Sequence, residues 1–227
     1  MPSLPNSKHA TALRHGQFRH VIRVAAVTGR LPERNVMLLW FTHTTGIRVT
    51  ELSLLEIRDL MFPSGQLRTE IYLRSAITKH GRPRTIYLSH PKAIIAVEAW
   101  LSFRIDMGWE HYQEETYRGF KPKGRFVLTH KGRAFELARK RRLLDSGPAE
   151  YLCCDALQQA MSRVYRQAGI KGGSSHSGRR TLAARVLADS GSVELVQQVL
   201  GHSELDHTWP YLDVDKKKIR LAFELAL

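Results

Sequence analysis

Cysteine is nearly absent: the chain has two, and they are adjacent, Cys153 and Cys154. Neighbouring thiols give neither a CxxC metal knuckle nor a disulfide framework, which fits a reducing cytoplasm. Long apolar runs are missing as well, since no stretch approaches the roughly eighteen residues that a membrane helix needs. The opening Met1-Pro2-Ser3-Leu4-Pro5-Asn6 has no apolar run behind a basic start, so no secretory signal is read there. The chain contains no GxxxxGK[ST] phosphate loop and no internal repeat. Acidic residues are in deficit, 21 Asp+Glu against 35 Lys+Arg, for a formal net charge of +14. A field of that sign draws in polyanions, nucleic acid first and an anionic membrane surface second. The expectation is a soluble, cytoplasmic chain with room for one large domain or two small ones.

Residues 1–30 are basic and polar, with a weakly patterned helix over Leu13 to Val27. From Pro32 the pattern sharpens. Val36, Met37, Leu38, Leu39, Trp40 and Phe41 are apolar nearly all round, which predicts a central, buried helix. Thr44-Thr45-Gly46 breaks it, and a second short helix follows through Glu51 and Leu55. Leu55 to Phe62, Arg68 to Thr78 and Arg84 to Leu88 carry β-branched and aromatic residues between turn signals. They predict a small antiparallel meander with Lys79 at the tip of its second hairpin. Helical spacing returns from Pro91 to Met107, and residues 109–150 are poorly periodic apart from a short strand at Phe126-Val127-Leu128. Helices over Cys154–Ala168, His176–Ser190 and Val193–Leu200 end at Gly169, Gly191 and Gly201, where helix C-terminal glycines belong. The predicted fold is mainly α with a small antiparallel β-sheet insert.

Three segments carry chemistry. In Thr45-Gly46-Ile47-Arg48-Val49-Thr50-Glu51, Arg48 and Glu51 share one helix face, so the carboxylate can orient the guanidinium fork and leave its other donors for a phosphate. A plain surface ion pair fits the same spacing. In Ser174-Ser175-His176-Ser177-Gly178-Arg179, a serine cap places His176 and Arg179 on the first turn of a helix, whose free N–H groups favour anions. The third is Leu200-Gly201-His202, with Tyr211 nine residues beyond the histidine. His202 as a helix cap and Tyr211 as a core aromatic remain open on spacing alone. His202 and His207 lack a third ligand nearby, so no metal is expected.

The order of these motifs, an Arg with Glu three later, a hairpin Lys, HxxR and LGH with a following Tyr, resembles the tyrosine recombinase (phage integrase) family over residues 31–212. The resemblance implies a mostly helical catalytic fold acting on double-stranded DNA through a 3′-phosphotyrosine intermediate, with integration, excision or inversion as the outcome. It implies that Arg48 and Arg179 clamp the scissile phosphate and Lys79 is general acid toward the leaving 5′ oxygen. His176 handles the nucleophile's proton, His202 bonds a phosphate oxygen, and Tyr211 is the nucleophile. No cofactor is implied. A homo-tetramer on paired sites and accessory DNA-bending or directionality proteins are, in a prokaryotic or phage setting on the nucleoid. Rival readings are an idle DNA-binding regulator of the same fold and a type IB topoisomerase-like relaxing enzyme.

The sequence departs from the family's habit in three places. A leucine often precedes the second arginine and a histidine often follows it; here these are Gly178 and Arg180. Pro210 before Tyr211 stiffens the nucleophile segment. Only about thirty residues precede the first core helix, which suggests a catalytic-domain-only member, similar to the small fimbrial-switch invertases, or a fragment. Residues 213–227 turn apolar from Ile219 onward and are expected to form a tail helix that docks on a neighbouring protomer, with docking on its own domain as the alternative.

Overall fold

The computed structural model describes residues 10–78, 81–144 and 147–201, with the side chains of 142–149 left aside. Helix α1 (His15–Val27) leads into α2 (Pro32–Thr45), which starts with proline in its first turn, where a missing N–H costs nothing. Met37, Leu38, Leu39 and Phe41 of α2 are all buried, so its apolar girdle makes it the central helix that the sequence predicts. It packs against α1, against α5 (Pro91–Asp106) and against α7 (Ser177–Ser190). Phe18, Val21 and Ala25 of α1 are buried with Leu39 of α2 and with Val164 and Tyr165 of α6 (Asp155–Gln167), closing a second cluster beside the main core. At about 1.5–3 kcal/mol per large buried side chain, such burial is the main driving force of the assembly. Helix α8 (Val193–Leu200) packs on α7.

Two short helices follow α2: α3 (Val49–Leu54) and α4 (Ile57–Leu60). The second corrects the expected strand over Leu55 to Phe62. The Glu56 N–H donates to Asp59 Oδ2 at 3.0 Å, a capping arrangement that starts a helical turn and outweighs the β-prone composition. The meander therefore reduces to one antiparallel pair, β1 (Glu70–Leu73) and β2 (Arg84–Tyr87), in the register Ile71↔Ile86 and Leu73↔Arg84. Strand β1 stops at Leu73 because Arg74 leaves the ladder to grip both Asp59 oxygens, at 2.9 Å each, and a 3₁₀ turn at Ser75–Ile77 follows. The described residues between Leu73 and Arg84 thus lie outside the ladder.

Phe126 to Leu128 is buried but joins no strand; isolated bridges stand at either end, Glu56↔Arg125 and Leu128↔Ala134. Its backbone serves α5 instead: the Phe126 carbonyl accepts from Trp100 Nε1 at 2.9 Å and from the fully buried Arg104 at 3.1 Å. A second hairpin, β3 (Ala138–Leu144) and β4 (Gly147–Cys153), falls largely in the stretch whose sequence is poorly periodic. Arg139, Lys140 and Arg141 are consecutive exposed residues, so this stretch of β3 carries no apolar–polar alternation to betray a strand. The mainly α fold with small antiparallel β elements is what the sequence predicts.

Candidate active site

The site is built where α2 ends. Gly46 adopts φ 63 and its N–H donates to Thr42 O at 3.2 Å, closing α2 in a left-handed cap. A side chain there would be strained, and its Cβ would stand 3.0 Å from Leu182. The abrupt stop delivers Arg48 to the N-cap of α3. Its backbone N–H donates to Glu51 Oε2 at 3.0 Å and its Nη1 to Glu51 Oε1 at 3.0 Å. The remaining guanidinium donors of Arg48 have no partner among the described residues, and about a fifth of the side chain (21%) is open to solvent. That is the geometry a phosphate-binding arginine needs: one edge fixed, one edge available.

Glu51 is 1% exposed and holds a second guanidinium that the sequence reading did not single out. Arg84 reaches both its oxygens, Nη1 to Oε1 at 2.8 Å and Nη2 to Oε2 in a very short contact. Burial alone would push the Glu51 carboxyl up. The bonds and charge of Arg84, the charge of Arg48 and the Arg48 N–H outweigh it and bring the pKa down to about 2. A signal for Arg84 was present. Ile86 and Leu88 face inward at strand period, so Arg84, opposite the buried Leu73, shares that inner face.

Arg179 comes from the first turn of α7 and is 1% exposed. One Nη donates to Gly46 O at 2.6 Å and the other makes a very short bond to Leu200 O, so it ties the end of α2 to the end of α8. Helix α7 approaches α2 closely through Gly178, where a Cβ would lie 2.7 Å from Thr42 Oγ1 and 2.9 Å from the Thr42 carbonyl carbon. The departure at Gly178 therefore has a steric reason: the larger residue has no room. Neither Ser174 nor Ser175 caps α7. The helix begins at Ser177 with His176 at the N-cap, while Ser174 Oγ accepts the His176 N–H at 3.3 Å. His176 is exposed, one turn before Arg179.

Gly201 closes α8 with φ 61, and a Cβ there would meet Arg84 Cδ at 2.4 Å. Gly201 thus sits directly against the stem of Arg84. The structure therefore gathers Arg48, Glu51, Arg84 and Arg179 around the Gly46 turn, with His176 at the start of α7. Lys79, His202, Tyr211 and the tail 213–227 lie outside the described residues. Three guanidinia, those of Arg48, Arg84 and Arg179, thus stand around the Gly46 turn with one buried carboxylate, Glu51, which leaves the cluster net positive.

The phage integrase family model matches residues 12–218. Tyrosine recombinase XerC of Corynebacterium glutamicum is 25% identical over 193 residues, covering 85% of this chain and 51% of its own. The chain spans about half the length of the curated relatives it matches. Among solved structures, the crystal structure of XerA recombinase superposes with TM-score 0.66 at 18% identity, over all of this chain and 66% of that one. XerH site-specific recombinase bound to a palindromic difH substrate, in a post-cleavage complex, gives TM-score 0.62 at 19% identity, over 94% of this chain and 52% of that one. These likenesses define a tyrosine recombinase catalytic fold. The chain belongs to the phage integrase family.

Proposed function

We propose that this chain is the strand-transferring unit of a tyrosine-type site-specific recombinase. The observation that carries the reading is the meeting of Arg48 and Arg179, distant in sequence, at the two sides of the Gly46 turn, with Glu51 fixing one of them. Phosphoryl transfer needs positioning and charge stabilisation above all, and two guanidinia supply both without a nucleotide or cofactor. In this reading Tyr211 Oη attacks the scissile phosphorus as the bond to the 5′ oxygen breaks. His176 takes the phenol proton, Lys79 protonates the leaving 5′ oxygen, and His202 joins Arg48 and Arg179 on the non-bridging oxygens. The 3′-phosphotyrosine ester conserves the energy of the broken phosphodiester, so a 5′ hydroxyl reverses the step and reseals DNA. Integration, excision and inversion all follow from that chemistry.

Residues 31–212 form the catalytic unit here, with α1 of the preceding basic segment packed onto it through Phe18 and Val21. The partner is double-stranded DNA, drawn by the +14 charge. Four protomers on paired sites, accessory bending or directionality proteins, and a place on the prokaryotic nucleoid complete the reading. No helix among the described residues is long and apolar enough to cross a membrane.

The test is a nicked duplex that traps the covalent intermediate. Trapping at one sequence is expected, and Tyr211→Phe should bind the duplex as well as wild type yet form no adduct. Trapping at any sequence would instead indicate a relaxing topoisomerase, and none would indicate a regulator. An adduct mapped to Tyr72, Tyr87, Tyr151 or Tyr165 would overturn the assignment. Tyr165 is an especially poor candidate, since complete burial raises its pKa.

A further inference from the structure

Arg34 lies in the first turn of α2, is 8% exposed, and has no carboxylate partner among the described residues. Its Nη1 donates to Leu128 O at 3.0 Å and its Nη2 reaches Asn35 Oδ1 at 3.4 Å, while Nε is buried without a hydrogen bond. Burial, and after it the charge of Arg163, lowers its pKa to about 10. A guanidinium this deep without a counter-charge is costly unless something supplies one.

Arg34 forms part of the wall of a cavity of about 600 Å³ between the start of α2, one face of α6 and the loop 129–136. Arg30, Lys131, Arg133 and Arg163 line the same cavity, and none of these four makes an ion pair among the described residues. One carboxylate, Glu136, stands in the wall against five cations. The exposed ring of His130 registers the crowding. Its pKa is lowered by desolvation and then by Arg30, Lys131, Arg34 and Arg163 in turn. Five positive groups held this close repel one another, and an anion among them relieves that repulsion. Phe135 adds an apolar wall, with the Arg34 guanidinium 5.9 Å from its ring centre.

The geometry points to a second phosphate-binding site in this cavity, apart from the site around Gly46. Arg34 and Gly46 stand at opposite ends of α2, roughly 18 Å apart at about 1.5 Å per residue, so one phosphate cannot serve both. The volume falls within the range of small-ligand sites and admits more than one phosphate group. The ligand is a phosphate-bearing polyanion, either backbone phosphates of duplex DNA or a free nucleotide. Arginine forks suit both, since each takes two phosphate oxygens at once.

The experiment titrates the whole chain with inorganic triphosphate, following the His130 ring by NMR and the affinity by calorimetry. In wild type, triphosphate raises the His130 pKa, and Arg48→Ala leaves that shift in place because the first site is elsewhere. Arg133→Ala with Arg163→Ala changes only exposed side chains, so folding is retained, and triphosphate affinity falls at least about tenfold. A short duplex that displaces triphosphate and moves His130 in the same way identifies backbone phosphate as the occupant. A duplex that leaves triphosphate bound identifies a free nucleotide. An unmoved His130, or equal triphosphate affinity in the double variant, removes the site. Neither result bears on covalent trapping at Tyr211, so this inference and the recombinase reading fail separately.

Discussion

Replacing Glu51 by Gln keeps the shape of the side chain and removes the charge that two arginines share. The pKa falls from the ordinary 4.5 to about 2, a difference worth roughly 3 kcal/mol at about 1.36 kcal/mol per unit. Glu51 is almost wholly buried and the Arg84 side chain is 10% exposed, so solvent screens little of this. Removing one member of a buried pair commonly costs about 3–5 kcal/mol, which agrees. Glu51→Gln should therefore lose about 3 kcal/mol of unfolding free energy at pH 7, read from urea melts. Because the folded pKa is depressed, the stabilisation is complete above about pH 4.5 and lost as pH falls toward 2. The gap between wild type and Glu51→Gln should close over that window, where protonated Glu51 comes to resemble Gln. His43, buried and with its pKa lowered to about 3, also titrates in acid, but it does so in both proteins and cancels in the difference. A double-mutant cycle with Arg84→Met should show coupling well beyond additivity. A Glu51→Gln protein within about 0.5 kcal/mol of wild type at pH 7, the scatter of ordinary surface changes, would refute the bridging role.

Lys79→Ala should slow cleavage of ordinary DNA, and a bridging sulfur at the 5′ position, which needs no acid, should restore the rate; equal slowing on both substrates would remove Lys79 as the acid. Gly178→Leu, which introduces the family's commoner residue, should cost upwards of about 1–3 kcal/mol, because Thr42 fills the space. Thermal melts check this, and Thr42→Gly in the same chain should return part of the loss. Deleting residues 217–227 should leave binding to a single DNA site intact while abolishing recombination and lowering assembly on paired sites. A truncated protein that recombines at the wild-type rate would show that the tail does not couple subunits.

The chain's linear pattern was sufficient wherever a local rule had no competitor. The apolar girdle of α2 can be buried only at the centre, the glycines at 46, 191 and 201 end helices because they accept positive φ, and the two arginines are separated from their partners by one helical turn. From these, the helical order, the family and the positions of Arg48, Glu51, His176 and Arg179 were all legible. Where two local preferences competed, the sequence could not rank them. Glu56 and Asp59 cap a helical turn in a segment whose composition favours a strand, and Arg74 ends β1 for a bond to Asp59 fifteen residues earlier. Arg139, Lys140 and Arg141 of β3 are all exposed, and three charged residues in a row give no period to read. Arg84 and Arg34 went unnoticed for a related reason. An arginine's sequence neighbours do not say whether its charge will meet a carboxylate thirty-three residues away, as Arg84 meets Glu51, or none among the described residues, as with Arg34. Only the packing of distant segments decides which buried charge is balanced within the protein and which is left for a ligand.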